Sequence, residues 1–81
     1  MVTIYSKDYC PYCTQAKALL DSLNIKYEDI DVTHNQELLM EISQKSGLQT
    51  VPQIFVGEKL IGGYTDLAKL NDEGKLLELL K

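Results

Sequence analysis

The chain has 81 residues, 44% of them hydrophobic and 25% charged, a balance ordinary for one soluble globular domain spanning 1–81. Two separate cores would each fall below the size that usually folds unaided. The net charge is −4, with eight lysines and no arginine, so a basic surface for nucleic acid or an anionic membrane is not expected. The apolar runs are short, which predicts no membrane-spanning helix. Nothing at the amino terminus reads as an export signal, and a reducing, cytoplasmic setting is expected.

Strand and helix patterns alternate from the start. Val2 to Ser6 is rich in β-branched and aromatic residues and predicts a strand. Pro11 opens a helical segment to about Asn24, because a first helical position does not need the N–H that proline lacks. Ala16, Leu19, Leu20 and Leu23 form its apolar stripe. Ile25 to Asp31 alternates again and predicts a second strand. Thr33 with Gln36 three residues on reads as a capping box that starts a second helix, with Leu38, Leu39 and Ile42 on one side and Met40 also assigned to the core. Gly47 fits its left-handed end. Gln53 to Val56 and Lys59 to Ile61 predict a hairpin across Gly57-Glu58, and Gly62-Gly63 breaks its second strand. Thr65 is the expected N-cap of a closing helical region through Lys81. Leu67, Leu70, Leu76, Leu77 and Leu80 form its apolar side, and Gly74 kinks or splits it. The order β-α-β-α-β-β-α predicts one mixed four-stranded sheet flanked by helices, a three-layer α/β sandwich.

Both cysteines, Cys10 and Cys13, fall in one tetrapeptide where the first strand hands over to the first helix. A bridge this short stabilises little through chain entropy, so the pair reads as chemistry. Cys10 at the N-cap faces unpaired backbone N–H groups and the positive end of the helix dipole, which favour thiolate over thiol. Cys13, one turn further in, is the expected resolving thiol. Lys7 adds positive charge nearby. A free thiol with a pKa of ~8.5 is roughly 3% thiolate at pH 7, so full ionisation raises the attacking species about thirtyfold. A fall of ~3.5 units also lowers nucleophilicity about 25- to 60-fold, so the larger gain comes when Cys10 leaves a mixed disulfide. A zinc site would need four ligands, and the chain offers no third cysteine and a single histidine, His34, at a predicted helix start. No metal site is expected, and His34 reads as a solvated surface residue.

C-P-Y-C at 10–13, T-V-P at 50–52 and G-G-Y-T-D at 62–66 together resemble the glutaredoxin family, in that family's order and over essentially the whole chain. The similarity is closest to small bacterial dithiol members. Thioredoxins typically place Trp beside C-G-P-C, and this chain has no Trp. The resemblance implies the thioredoxin fold, a Cys10 nucleophile, and glutathione as electron donor with no tightly bound cofactor. It implies a cis bond before Pro52 that leaves the Val51 backbone to pair with glutathione as an added strand. Lys7, Tyr12 and Thr50 match contact positions. Gly63, Tyr64, Thr65 and Asp66 match the helix start that receives the γ-glutamyl end, where Asp66 can pair with the ammonium. Relatives often place basic or polar residues where this chain has Leu39 or Met40 and Gln49, so looser holding of the glycyl carboxylate is expected, with Gln36 as a substitute. The implied substrates are glutathione mixed disulfides and disulfide-bonded proteins, ribonucleotide reductase among them, acted on by a monomer. Two other classes are a carrier of a [2Fe–2S] cluster held by two chains and two glutathiones, and a redoxin reduced by thioredoxin reductase. Pro11 and the available Cys13 argue against the first.

Overall fold

In the computed structural model, which describes residues 1–80, the opening run forms β1 (Val2–Ser6) and the segment after the cysteine loop forms α1 (Pro11–Ser22). Then follow β2 (Tyr27–Asp31), α2 (Gln36–Ser46), β3 (Gln53–Val56), β4 (Lys59–Gly62), α3 (Tyr64–Asp72) and α4 (Leu76–Leu79). The sheet order is β2-β1-β3-β4. β1 pairs in parallel with β2, Ile4 opposite Asp29, and antiparallel with β3, Ile4 opposite Ile54. β3 and β4 close the antiparallel hairpin. This is the expected mixed four-stranded sheet.

Side-chain alternation along β1 divides the layers. Val2, Ile4 and Ser6 are buried, and the first two join Ala16, Leu20, Ile54, Leu67 and Leu76 in one apolar cluster beneath α1, α3 and α4. Burying each large aliphatic side chain stabilises the fold by about 1.5–3 kcal/mol. The other face carries Tyr5 and Phe55, whose rings meet edge to face at 5.7 Å. There α2 is fixed by a polar device. The fully buried Gln53 amide accepts from the Ser46 hydroxyl at 2.8 Å and donates to Ser43 Oγ at 3.2 Å and the Leu48 carbonyl at 3.3 Å. A buried amide is tolerated because its donors and acceptor are all used.

Several expected boundaries move. α1 stops at Ser22, because Leu23 caps it and Asn24 takes a left-handed φ of 58°. The Ile25 N–H then returns to the Leu20 carbonyl at 3.0 Å, closing a Schellman-type end. Ile25 and Lys26 are therefore connection, and β2 begins at Tyr27. Gly62 belongs to β4, where it pairs with Ile54. Asn35, not Thr33, caps α2, its Oδ1 accepting the Leu38 N–H at 3.1 Å. Thr33 is unable to cap because its hydroxyl is engaged with Asp31 and Asp8. Met40 is 64% exposed and Leu77 55% exposed, so neither is core. α2 buries only Ile42 fully, and Leu77 lies on the outer side of the single-turn α4. Gly74, with φ +72°, separates α3 from α4. Lys81, the expected end of the closing region, lies outside the described residues.

Candidate active site

The cysteine pair sits where β1 gives way to α1. Cys10 is the N-cap, in extended conformation at φ −109° and ψ 105°, with Pro11 as the first helical residue. Its carbonyl accepts the Thr14 N–H at 3.1 Å, and its Sγ accepts the Cys13 N–H at 3.1 Å. A sulfur thus occupies the place where Ser, Thr or Asp usually satisfies an unpaired amide. Cys10 and Cys13 form a disulfide, with their Cα atoms 5.1 Å apart. Their environments differ. Cys10 is half-buried at the surface, whereas Cys13 is 0% exposed on the core side of α1. That asymmetry suits an accessible attacking sulfur and a sheltered resolving one.

A second loop comes against the same sulfur. The Val51–Pro52 peptide is cis, and the Val51 carbonyl oxygen lies 3.6 Å from Cys10 Sγ. Pro52 is buried, Val51 half-buried and Thr50 exposed. The third contributor is the start of α3. Gly63 is its N-cap, and the helix begins at Tyr64, so the expected N-cap Thr65 is instead its second residue. Gly63 has no side chain with which to cap, and Asp66 acts from inside the first turn, its Oδ2 accepting the Gly63 N–H at 3.1 Å. Gly62, at φ +127°, lies directly against that carboxylate, where any added Cβ would overlap it.

Tyr12, Thr50, Val51, Pro52, Gly63, Tyr64 and Thr65 line one groove of about 190 Å³. The Tyr12 ring, 58% exposed, stacks on Tyr64 with centroids 6.1 Å apart and forms its wall. Three sequence motifs separated by up to fifty positions therefore meet in one place. Besides the two cysteines, two named residues stand outside this lining: Lys7, half-buried in the loop before Cys10, and Asp66, exposed and occupied with the Gly63 N–H. A larger cavity, about 440 Å³, lies on the α2 face of the sheet among Tyr5, Ile42, Lys45, Phe55 and Leu60, and contains none of the motif residues.

Sequence reasoning assigned no role to Ser6 or Asp29. The buried Ser6 hydroxyl donates to Asp29 Oδ1 at 2.6 Å, and Asp29 Oδ2 pairs with Lys17 Nζ at 2.9 Å. The pair ties α1 to β2 one turn beyond Cys13. A lone serine ending a strand carries no signal of this; only the parallel register reveals it.

Comparison with known proteins agrees with this arrangement. A family model described as Glutaredoxin matches residues 2–61. The chain is 46% identical over 80 residues to a glutaredoxin of Neisseria meningitidis serogroup A, covering 98% of this chain and 94% of that protein. It is 44% identical over 80 residues to glutaredoxin 3 of Escherichia coli, covering 99% and 96%. Among solved structures, the solution structure of glutaredoxin from Brucella melitensis superposes with a TM-score of 0.88 at 48% identity, over 99% of this chain and 87% of that one. The crystal structure of a buckwheat glutaredoxin–glutathione complex superposes with a TM-score of 0.92 at 33% identity, over 98% and 74%. The architecture is the thioredoxin fold shared by these structures.

Proposed function

The chain belongs to the glutaredoxin family and carries the cysteine pair of a thiol–disulfide oxidoreductase, and from that premise we propose that it reduces glutathione mixed disulfides and protein disulfides at the expense of glutathione. The observation that carries the reading is the placement of Cys10. Its sulfur caps α1, accepts the Cys13 amide at 3.1 Å, and lies 3.6 Å from the carbonyl oxygen of Val51, a residue of the groove lining.

In the reduced protein the Cys10 thiolate attacks the glutathione sulfur of a mixed disulfide. The substrate thiolate leaves and Cys10 carries the glutathionyl group. A second glutathione thiolate then attacks the glutathionyl sulfur, releasing oxidised glutathione and the Cys10 thiolate. By the dithiol route, Cys13 attacks Cys10 instead and expels reduced glutathione. Two further glutathiones then reduce the Cys10–Cys13 disulfide. The helix start assists most at departure, since an anion already stabilised by amides is the better leaving group. The groove supplies orientation. Tyr12 and Tyr64 offer an apolar wall, the Val51 backbone a strand edge, and the start of α3 a place for a carboxylate. Lys7 would hold a second carboxylate, and the free oxygen of Asp66 an ammonium. Glutathione occupies the superposed buckwheat protein, which supports this reading.

The test is reduction of a glutathionylated peptide with glutathione and its reductase supplying electrons. Cys10→Ser should reduce the rate to that of the uncatalysed exchange, and Cys13→Ser should keep a substantial part of it. A dead Cys13→Ser with an active Cys10→Ser would reverse the roles. Electrons accepted from thioredoxin reductase, and not from glutathione, would replace the donor.

A further inference from the structure

We infer that Thr33 is a positioning residue for the glutathione site, acting through Lys7. The inference rests on the reading of Lys7 as a glutathione contact. Thr33 reads in the sequence as the cap of α2, and the structure gives that task to Asn35. The Thr33 side chain reaches instead across to the loop that precedes Cys10. Its Oγ1 accepts the Asp8 N–H at 3.0 Å. On the other side of Lys7, the Ser6 carbonyl accepts the Val32 N–H at 2.8 Å. The backbone flanking Lys7 is thus pinned on both sides to two consecutive residues of the β2–α2 connection.

The anchor is itself held. The Thr33 N–H donates to Asp31 Oδ1 at 2.8 Å, and the Thr33 hydroxyl proton is directed to the same oxygen. Asp8 Oδ1 stands 3.2 Å from that hydroxyl. The hydroxyl therefore has both its acceptor and its donor capacity in use, which a valine of the same shape cannot reproduce. A lysine side chain is long and loses much rotamer freedom when it binds. With the flanking backbone fixed, only that side chain has to be ordered by an incoming carboxylate. With the backbone free, the ligand must order the loop as well, and binding weakens. Neither Thr33 nor Asp8 lines the groove or touches the sulfurs, so the effect belongs to binding and not to the exchange step.

KM and kcat for a glutathionylated peptide, at saturating glutathione, test this in Thr33→Val, Lys7→Gln and the double variant. Thr33→Val should raise KM about fivefold, the size of one lost hydrogen bond, with kcat unchanged. In the Lys7→Gln background the same substitution should add nothing, because the group it positions is gone. Thr33→Ser should restore KM, and Asp8 amide exchange should quicken wherever the Thr33 hydroxyl is removed and not in Thr33→Ser or Lys7→Gln. Thr33→Ala, which adds no bulk, repeats the series should the valine disturb folding. An equal rise in both backgrounds overturns the inference, as does a fall in kcat with KM unmoved. If Lys7→Gln leaves KM untouched, the glutathione contact itself is wrong and Thr33 loses its role with it.

Discussion

Two helices begin at the groove and solve the same problem differently. Each leaves its first N–H groups without partners inside the helix. At α1 the answer comes from outside, from the Cys10 sulfur, and that cap is also bonded to Cys13. At α3 the cap residue is Gly63, which has nothing to offer, and Asp66 reaches back from the first turn to hold the Gly63 N–H. One start thus keeps its sulfur cap with the disulfide closed. The other is held by its own first turn and leaves the cap position bare beside the groove. A sulfur cap and a bare glycine cap thus stand beside the same groove, one next to Val51 and the other in the lining.

The most damaging way to test that contrast is Gly62→Ala. Its methyl would overlap the Asp66 carboxylate, and φ +127° is unfavourable for any residue with a Cβ. The backbone conformation alone should cost about 1–3 kcal/mol. Displacing Asp66 should remove about 1 kcal/mol more, the worth of a helix cap. Urea unfolding would measure the sum, and an unchanged midpoint would show that α3 is not held in this way.

A smaller effect separates the cap from its neighbour. Asp66→Ala should destabilise by about 1 kcal/mol through the lost Gly63 contact. Thr65→Ala should change stability by no more than about 0.5 kcal/mol, since the threonine caps nothing and alanine is the better helix former. Equal losses in thermal unfolding would return Thr65 to the capping role that its position in the sequence suggests.

The smallest effect concerns the turn before α2. The Thr33 hydroxyl, and then its N–H, hold the Asp31 carboxyl below its usual value of 3.8. A carboxyl depressed by folding contributes stability that is present above its unfolded pKa and lost as the pH falls through the folded one. Wild type should therefore lose stability more steeply than Asp31→Asn at pH below about 4, with the two acid-unfolding curves converging there and the variant flatter. Parallel curves would mean that the turn draws nothing from the charge.

Much of this was legible from local chemistry. The opening β-branched run, the proline at the start of α1 and the glycine turn before β4 each impose their conformation within a few residues. The cysteine pair was equally local, because an N-cap cysteine one turn ahead of another needs no distant partner to be recognised. The α2 start departs from its sequence pattern for a physical reason. Thr33 satisfies the spacing of a cap, yet its hydroxyl answers to Asp8, twenty-five positions away, and to Asp31, whose carboxylate the same turn presents. Met40 failed as core because α2 lies on the sheet along one narrow stripe and leaves that side chain in water.

The sequence by itself determined the order of elements and the place of the two sulfurs at the start of α1, since these depend on interactions along one turn of chain. The groove was decided only by the tertiary structure. Tyr12, Val51 and Tyr64 become neighbours through the pairing of β1 with β3 and the return of α3 across the core, and no pattern along the chain sets such a distance. The Thr33–Asp8 contact has the same origin in the fold, which brings two distant loops together, and the Gln53 amide beneath α2 finds its partners where the fold has already excluded water.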